Sequence, residues 1–419
     1  MTTISGMGAD MGEAVQDLYD VAVVGAGIVG LAVAREIRAR RPDARLVVID
    51  KQEQVAQHQT GHNSGVIHSG IYYPPGSLKA RLCVEGARLM YEYCDANDIP
   101  YERCGKLVVA LDESELGRLD DLEQRARANG VPGLRRVGAV EIREIEPEAR
   151  GVGALHSPET GIVDYGEVAR TLERELRSKG VDFALGHEVT AVRRDGIETV
   201  VESSGGREFR AGWAVFCAGL WSDRLAVSAG ASRDPRILPF RGAYLRLAEG
   251  QPPVVRGMIY PVPDPELPFL GVHVTKHIDG HVSLGPTAIL VGSRDGYRGW
   301  TLSGRDVLST ISWPGSWKVA RRFWRTGFDE LRLAVSRRAF VAECARYVPV
   351  LSSMQLDSEG ASGVRAQAVG RDGTLIDDFV ISQTPGASHV RNAPSPAATS
   401  SLALARELVD RMELHAPAS

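Results

Sequence analysis

Cysteine is scarce. The chain has five, at positions 83, 94, 104, 217 and 344, an odd number with no C-x-x-C spacing. That excludes a disulfide framework and gives no sign of a zinc site; a reducing cytosol fits this usage. No run approaches the roughly 18 uninterrupted apolar residues of a membrane-crossing helix. The N-terminus lacks the basic stretch and apolar core of a secretory leader. Residues 1–18 are expected to be a frayed tail before the first strand. A strong charge of either sign is missing too: 49 basic and 53 acidic residues give a net charge of -4. Nucleic acid is therefore not an expected partner without a local patch. Lysine is rare, with six residues against 43 arginines. A cytoplasmic protein is expected, free or peripheral to the inner face of the membrane.

What is present is a globular composition, 43% hydrophobic and 24% charged. At roughly 100–200 residues per domain, 419 residues make two or three domains, or two interleaved ones. Tyr19–Val24 is a β-branched run that reads as a buried strand, Leu31–Arg40 reads as a helix ending near Pro42, and Arg45–Ile49 reads as a second strand. This βαβ unit requires a parallel sheet covered by helices. Helices are expected at 77–97, 112–130, 166–180, 303–345 and 397–413, with strands at 181–185, 188–193, 197–202 and 213–219. Residues 236–290 alternate strand-like runs with Pro-Gly turns and read as β-rich.

Between the first strand and helix stands Gly25-x-Gly27-x-x-Gly30, and Asp50 follows Gly30 by 20 residues. The first glycine allows a tight turn, the second lets the backbone approach a pyrophosphate, and the third packs helix on strand. Ile28 and Val29 open the helix whose N-terminus faces the phosphates. Asp50, followed by Lys51, is placed to accept from a ribose hydroxyl. The motif does not separate NAD from FAD, but no second copy is present. Strand-and-helix elements return at 155–230 and 345–410, which suits a nucleotide domain interrupted by a substrate domain. A later strand ends in Ala218-Gly219, where backbone can approach the dinucleotide again, and Val189 is a further candidate contact. Thr60, Asn63, Ser64, Gly65 and Val66 belong to a polar, glycine-punctuated loop, in which Asn63 and Ser64 can donate to phosphate or flavin oxygens.

The stretch from His62-Asn63-Ser64-Gly65-Val66-Ile67-His68-Ser69-Gly70 through Tyr73, continuing to Ala80, resembles the L-2-hydroxyglutarate oxidase/dehydrogenase family. That family lies among the D-amino-acid-oxidase-like flavoproteins. Pro239–Gly242, Ile259–Pro265 with Phe269–His273, and Asn392–Ser400 agree with the resemblance, which covers roughly residues 19–413. One departure is Asp50, where glutamate is commoner; both residues accept from a ribose hydroxyl.

The resemblance implies FAD and an α/β (overall α+β) fold: a glutathione-reductase-like Rossmann domain interrupted by a β-rich substrate domain with helices. The expected boundaries are 19–90, 151–235 and 346–414 for the FAD-binding domain, and 91–150 and 236–345 for the substrate domain. The implied reaction is oxidation of a small 2-hydroxy dicarboxylate, L-2-hydroxyglutarate to 2-oxoglutarate, by hydride transfer from Cα to flavin N5, with oxygen or a quinone as electron acceptor. An amine or amino-acid oxidase of the same fold is the alternative.

Asn392–Pro396 reads as a rigid loop opening the last helix. Ser395 and Pro396 lead into it, and Ala397, Ala398 and Thr399 supply the free N–H groups; in the resembling flavoproteins such a helix end stabilises the reduced flavin. Arginine presents a planar fork to a carboxylate. Arg365 sits where related oxidases carry a carboxylate-binding arginine, with Arg241, Arg256 and Lys276 as further candidates. His273, on a strand of the substrate domain, is the candidate acceptor of the hydroxyl proton; His68, in the loop, is the other. Residues 300–340 interleave Trp300, Trp313, Trp317, Phe323 and Trp324 with arginines. They are expected to pack on the substrate domain with the arginines facing water, rather than to meet a membrane.

Overall fold

The computed structural model describes residues 18–265, 270–297, 301–357 and 360–412. Residues 1–17 of the expected tail, Phe269, Trp300 and the chain beyond 412 lie outside them; Leu18 already belongs to the first strand.

β1 (Leu18–Val24), α1 (Ile28–Arg40) and β2 (Leu46–Ile49) form the expected βαβ unit. β1 pairs in parallel with β2, Val23 opposite Val48, and on its other side with Glu208–Phe216, Val23 opposite Val215. Asp182–Ala184 extends the sheet beyond β2. Val189–Asp195 and Glu198–Ser203 form an antiparallel meander with Glu208–Phe216. The end of that last strand also pairs in parallel with Ala387–Asn392, Val215 opposite Ser388. β1 is apolar almost throughout because both faces are covered. On one face, Leu31, Val33 and Ile37 of α1 pack with Leu172 and Leu176 of the helix Tyr165–Ser178 and with Leu404 and Leu408 of Ala397–Asp410. On the other, Ala22, Val47, Phe209 and Leu225 form a second core.

The second sheet runs in the order Ile289–Leu290, Arg236–Arg246, Val282–Gly285, His273–Lys276, Met258–Pro261, Lys106–Ala110, Gly153–Ser157, Arg135–Gly138. Ala361–Val369 pairs along the length of Arg236–Arg246, Phe240 opposite Arg365. Two of these strands, Gly153–Ser157 and Ala361–Val369, fall inside segments that the expected boundaries give to the nucleotide domain. Alternation of apolar residues fixes which face of a strand is buried, but not which sheet it joins. A small third sheet pairs β3 (Val66–Ile67) with Gly161–Val163, and Gly161–Val163 with Tyr101–Glu102.

A buried ionic joint ties the end of the first sheet to the second. The Arg294 guanidinium donates to both Asp223 carboxylate oxygens at 2.5 and 2.9 Å and to the Ile237 carbonyl at 3.1 Å, and Asp223 accepts the Ile237 N–H at 3.0 Å.

Residues 304–345 form four helices, Gly304–Ile311, Pro314–Arg322, Trp324–Val335 and Arg337–Ala345. Trp313 is buried and Phe323 is half-buried in the same cluster, as expected, but Trp317 and Trp324 are exposed. The packing expectation fails for these two because the helices turn those side chains away from the sheet. No helix among the described residues is long and apolar enough to cross a membrane.

Candidate active site

A cavity of about 1330 Å³ connects the glycine turn after β1 with the second sheet. At the first end Gly25 takes φ +113°, and its N–H donates to the Ile49 carbonyl at 2.8 Å. A Cβ at Gly25 would strike the Cys217 carbonyl, and one at Gly30 the Gly25 carbonyl. The turn is thus closed to side chains, and Gly25, Gly27, Ile28 and Val29 face the cavity; Gly30 packs behind. Asp50 lies at the tip of β2 and braces the turn. Its Oδ2 accepts the Ala26 N–H at 2.7 Å, and its Oδ1 accepts the Gln52 N–H at 2.9 Å. Each oxygen keeps lone-pair capacity for a ribose hydroxyl. The Thr60 hydroxyl accepts the Ile28 N–H at 3.0 Å, holding the loop against the helix start. Val189, Ala218 and Gly219 also line this end. Lys51 lines it as well, but its ammonium is engaged, 3.0 Å from Asp295 and 3.5 Å from the Trp221 ring centroid.

In the loop, Ser64 and Val66 face the cavity. Asn63 also lines it, but its amide is spent on the loop itself, donating to the Thr60 carbonyl at 2.6 Å and accepting the Gly65 N–H at 2.8 Å. This corrects the expected donor role: a short amide side chain in a tight turn bonds its own backbone first. Gly65 is not a lining residue; at φ +68° it sits against Val163, whose carbonyl a Cβ would approach at 2.8 Å.

The segment from Ser395 through Pro396, Ala397 and Ala398 to Thr399 lines the cavity where β3 meets the last helix. The Ala397 N–H, expected to be free, donates to the Pro394 carbonyl at 2.9 Å. The Thr399 hydroxyl accepts the His68 N–H at 3.1 Å and donates to the Val66 carbonyl at 3.2 Å, fixing the helix start on the histidine loop. Gly86, in the helix Leu78–Ala96, makes this possible: a Cβ there would lie 2.5 Å from the Thr399 carbonyl oxygen and 2.6 Å from Ser400 Cα.

The second sheet supplies the far end. Arg365, His273, Tyr244 and Tyr260 line it together with His68 and Tyr72. His273 is buried, and its Nδ1 lies 3.0 Å from the Gly271 carbonyl. Only a protonated Nδ1 can donate there, which leaves Nε2 with the lone pair. Burial, with the nearby Lys106 and Arg365 charges, pushes its pKa down to about 3. Burial chiefly, then Lys106, holds His68 well below its ordinary value. Both imidazoles are therefore neutral near pH 7. Burial raises the Tyr72 and Tyr260 phenols, which stay protonated, and Tyr244 hydrogen-bonds Arg365.

The remaining cationic candidates are elsewhere. Arg241 does not line the cavity. In the register of Arg236–Arg246 on Ala361–Val369, Phe240 stands opposite Arg365, and the strand's period of two sends Arg241 to the other face. Arg256 donates to the Glu144 carbonyl, and Lys276 is paired with Glu102 at 2.7 Å. Lys106 was not foreseen. Its side chain is 1% exposed, and burial lowers its pKa to about 7. A signal existed: it is a lone cation heading the apolar run Leu107-Val108-Val109-Ala110, and one of only six lysines.

Residues 20–411 match the family described as FAD dependent oxidoreductase, DAO. L-2-hydroxyglutarate dehydrogenases resemble the chain closely. The mitochondrial protein of Nematostella vectensis is 45% identical over 94% of this chain and 90% of its own, and that of Homo sapiens is 44% identical over 94% and 89%. The Indibacter alkaliphilus protein is 43% identical over 92% and 96%. Among solved structures, L-α-glycerophosphate oxidase from Mycoplasma pneumoniae, with FAD bound, shares the fold at TM-score 0.75, 23% identity and 94% coverage of both chains. Glycine oxidase from Geobacillus kaustophilus shares it at 0.71 and 20%, over 95% of this chain and 96% of its own.

Proposed function

Because the chain belongs to the DAO family of FAD-dependent oxidoreductases, we propose that it oxidises L-2-hydroxyglutarate to 2-oxoglutarate. The L-2-hydroxyglutarate dehydrogenase activity of its 43–45% identical relatives supports this substrate. The observation that carries the reading is the shared cavity: the glycine turn braced by Asp50 at one end, and Arg365 with two neutral imidazoles at the other.

The residues fit FAD. A turn that admits no Cβ at Gly25, backed by a carboxylate, suits a pyrophosphate and a ribose. Ser64, Val66, Ala398 and Thr399 would hold the ring system where the loop meets the last helix. Bound FAD supplies the two-electron acceptor for the hydride of the substrate.

The protein's own part is binding, orientation and proton transfer. Arg365, steadied by Tyr244, presents its fork to the carboxylate beside the hydroxyl carbon. That contact sets which bond faces the acceptor, and such orientation supplies a large part of a rate. Nε2 of His273 takes the hydroxyl proton, its tautomer held by Gly271. One observation favours a second assignment: Nδ1 of His68 is buried with no hydrogen-bond partner, as befits an atom that meets a substrate hydroxyl.

The five cysteines are free thiols, which supports a reducing, cytoplasmic setting. The acceptor is oxygen or a quinone. Steady-state turnover of L-2-hydroxyglutarate, L-lactate and L-glutamate with a soluble dye tests the reading. The 2-hydroxy dicarboxylate is expected to have the highest kcat/KM. A preference for L-glutamate would replace this reading with amino-acid oxidation.

A further inference from the structure

We propose that the Lys106 ammonium, with the Tyr72 phenol, holds the second carboxylate of the substrate and so selects dicarboxylates over monocarboxylates. This rests on the reading of L-2-hydroxyglutarate as the substrate. Arg365 answers the carboxylate beside the hydroxyl carbon, and a dicarboxylate leaves another negative charge to be met inside the cavity. The other cations near it are already engaged. Lys79 lines the cavity, but its Nζ lies 2.6 Å from Asp377, which lines it too. Arg118 is paired with Glu115 at 3.3 Å and with Asp264 at 3.5 Å, and Arg125 donates to the Tyr72 carbonyl at 3.0 Å.

Lys106 differs. It heads the strand Lys106–Ala110, is buried, and holds its ammonium over two rings, 4.2 Å from the Tyr260 centroid and 5.4 Å from that of Tyr72. Both rings line the cavity. The neighbours whose charge would favour the ammonium are Cys83, from the helix Leu78–Ala96, and Cys104. Burial holds these thiols up to about 12 and about 11, so both are neutral. Tyr72 and Tyr260 are protonated phenols, and His68 and His273 are neutral, so none of these groups supplies a counter-charge. A buried cation without an anion is costly, and a bound carboxylate relieves that cost. Tyr72 gives an independent sign. Its hydroxyl is buried with no hydrogen-bond partner, and a protonated phenol can donate to a carboxylate. The two unsatisfied groups share one stretch of wall, and the flexible lysine stem lets the ammonium reach past the ring edge. Arg365 with Tyr244 makes the same pairing of cation and phenol for the first carboxylate. Lys106 and Arg365 both depress the proton affinity of His273 and His68, so each cation borders the place where the substrate hydroxyl must sit.

The test compares kcat/KM of the FAD-loaded enzyme for L-2-hydroxyglutarate and for L-2-hydroxyvalerate, the same chain ending in a methyl group, on both sides of neutral pH. The wild-type enzyme is expected to prefer the dicarboxylate, and that preference to fall above about pH 7 as Lys106 loses its proton. Lys106→Met should cut kcat/KM for L-2-hydroxyglutarate about 10–100-fold, mostly through KM. It should shrink the preference by a similar factor and abolish its pH dependence. Tyr72→Phe should reduce the preference to a smaller extent. The proposal is overturned if Lys106→Met slows both substrates alike and leaves their ratio intact, because Lys106 then only tunes the histidines. It is also overturned if Lys79→Met, rather than Lys106→Met, erases the ratio. A wild-type preference that does not change with pH overturns it as well, and that arm requires no variant to fold. A wild-type enzyme with no preference for the dicarboxylate refutes the substrate reading itself and takes this proposal with it.

Discussion

The His273 imidazole lies flat on the Tyr260 ring, 3.8 Å between centroids with the planes inclined by 19°. The Lys106 ammonium also stands over the Tyr260 ring, 4.2 Å from its centroid. A buried cation, a phenol and the proposed proton acceptor thus form one cluster. Lys106 lowers the proton affinity of both His273 and His68. Lys106→Met should therefore raise both, moving the acid limb of kcat/KM to higher pH. It should also change stability. A lysine at about 7 when folded and 10.5 when unfolded binds fewer protons in the native state between those values. Wild-type stability should thus rise from pH 7 towards 10.5, by at most about 1.4 kcal/mol per pH unit, and the variant should lack that slope. Chemical denaturation across this range checks it.

For His273 the sign is the same, in a lower pH window. His273 is neutral when folded down to about pH 3, whereas the unfolded residue protonates near 6.5. Its contribution to stability is complete above 6.5 and declines as the pH falls towards 3. His273→Ala should lower the rate on the order of 10²–10⁴-fold with FAD retained. His68→Ala should disturb the flavin spectrum as well, because its backbone N–H is bonded to Thr399 at the start of the last helix. If only His68→Ala abolishes turnover, the proton acceptor lies in the loop.

Arg365→Lys keeps the charge and loses the fork. KM for L-2-hydroxyglutarate should rise and kcat should fall, since the proposed carboxylate contact would also set orientation. Arg241→Lys, on the other face of the sheet, is the control and should leave both constants near wild type.

Asp50→Ala removes two backbone hydrogen bonds as well as the proposed ribose contact. FAD retention should weaken by about 1–3 kcal/mol, measured as the free-cofactor fraction after dilution.

The nucleotide half was legible because its signals are local. Glycine spacing, the β-branched run and the acid after β2 lie within residues 19–50. Ser64, Val66, Ala218, Gly219 and Ser395–Thr399, read from small-residue loops and from the resemblance, also line the cavity. The substrate end depends on strand pairing between distant segments. Nothing local sends Arg365 inward and Arg241 away; only the register with Phe240 opposite Arg365 does. Gly86 was missed because its close approach to Thr399 spans 313 residues. Asn63 was misread because donor capacity says nothing of which acceptor is nearest.

Anaerobic titration of the purified protein with L-2-hydroxyglutarate tests the central claim most directly. The oxidised flavin absorbance should bleach with one equivalent of 2-oxoglutarate formed per flavin, and Arg365→Lys should bleach more slowly. A flavin that stays oxidised with L-2-hydroxyglutarate but bleaches with L-glutamate would contradict the account.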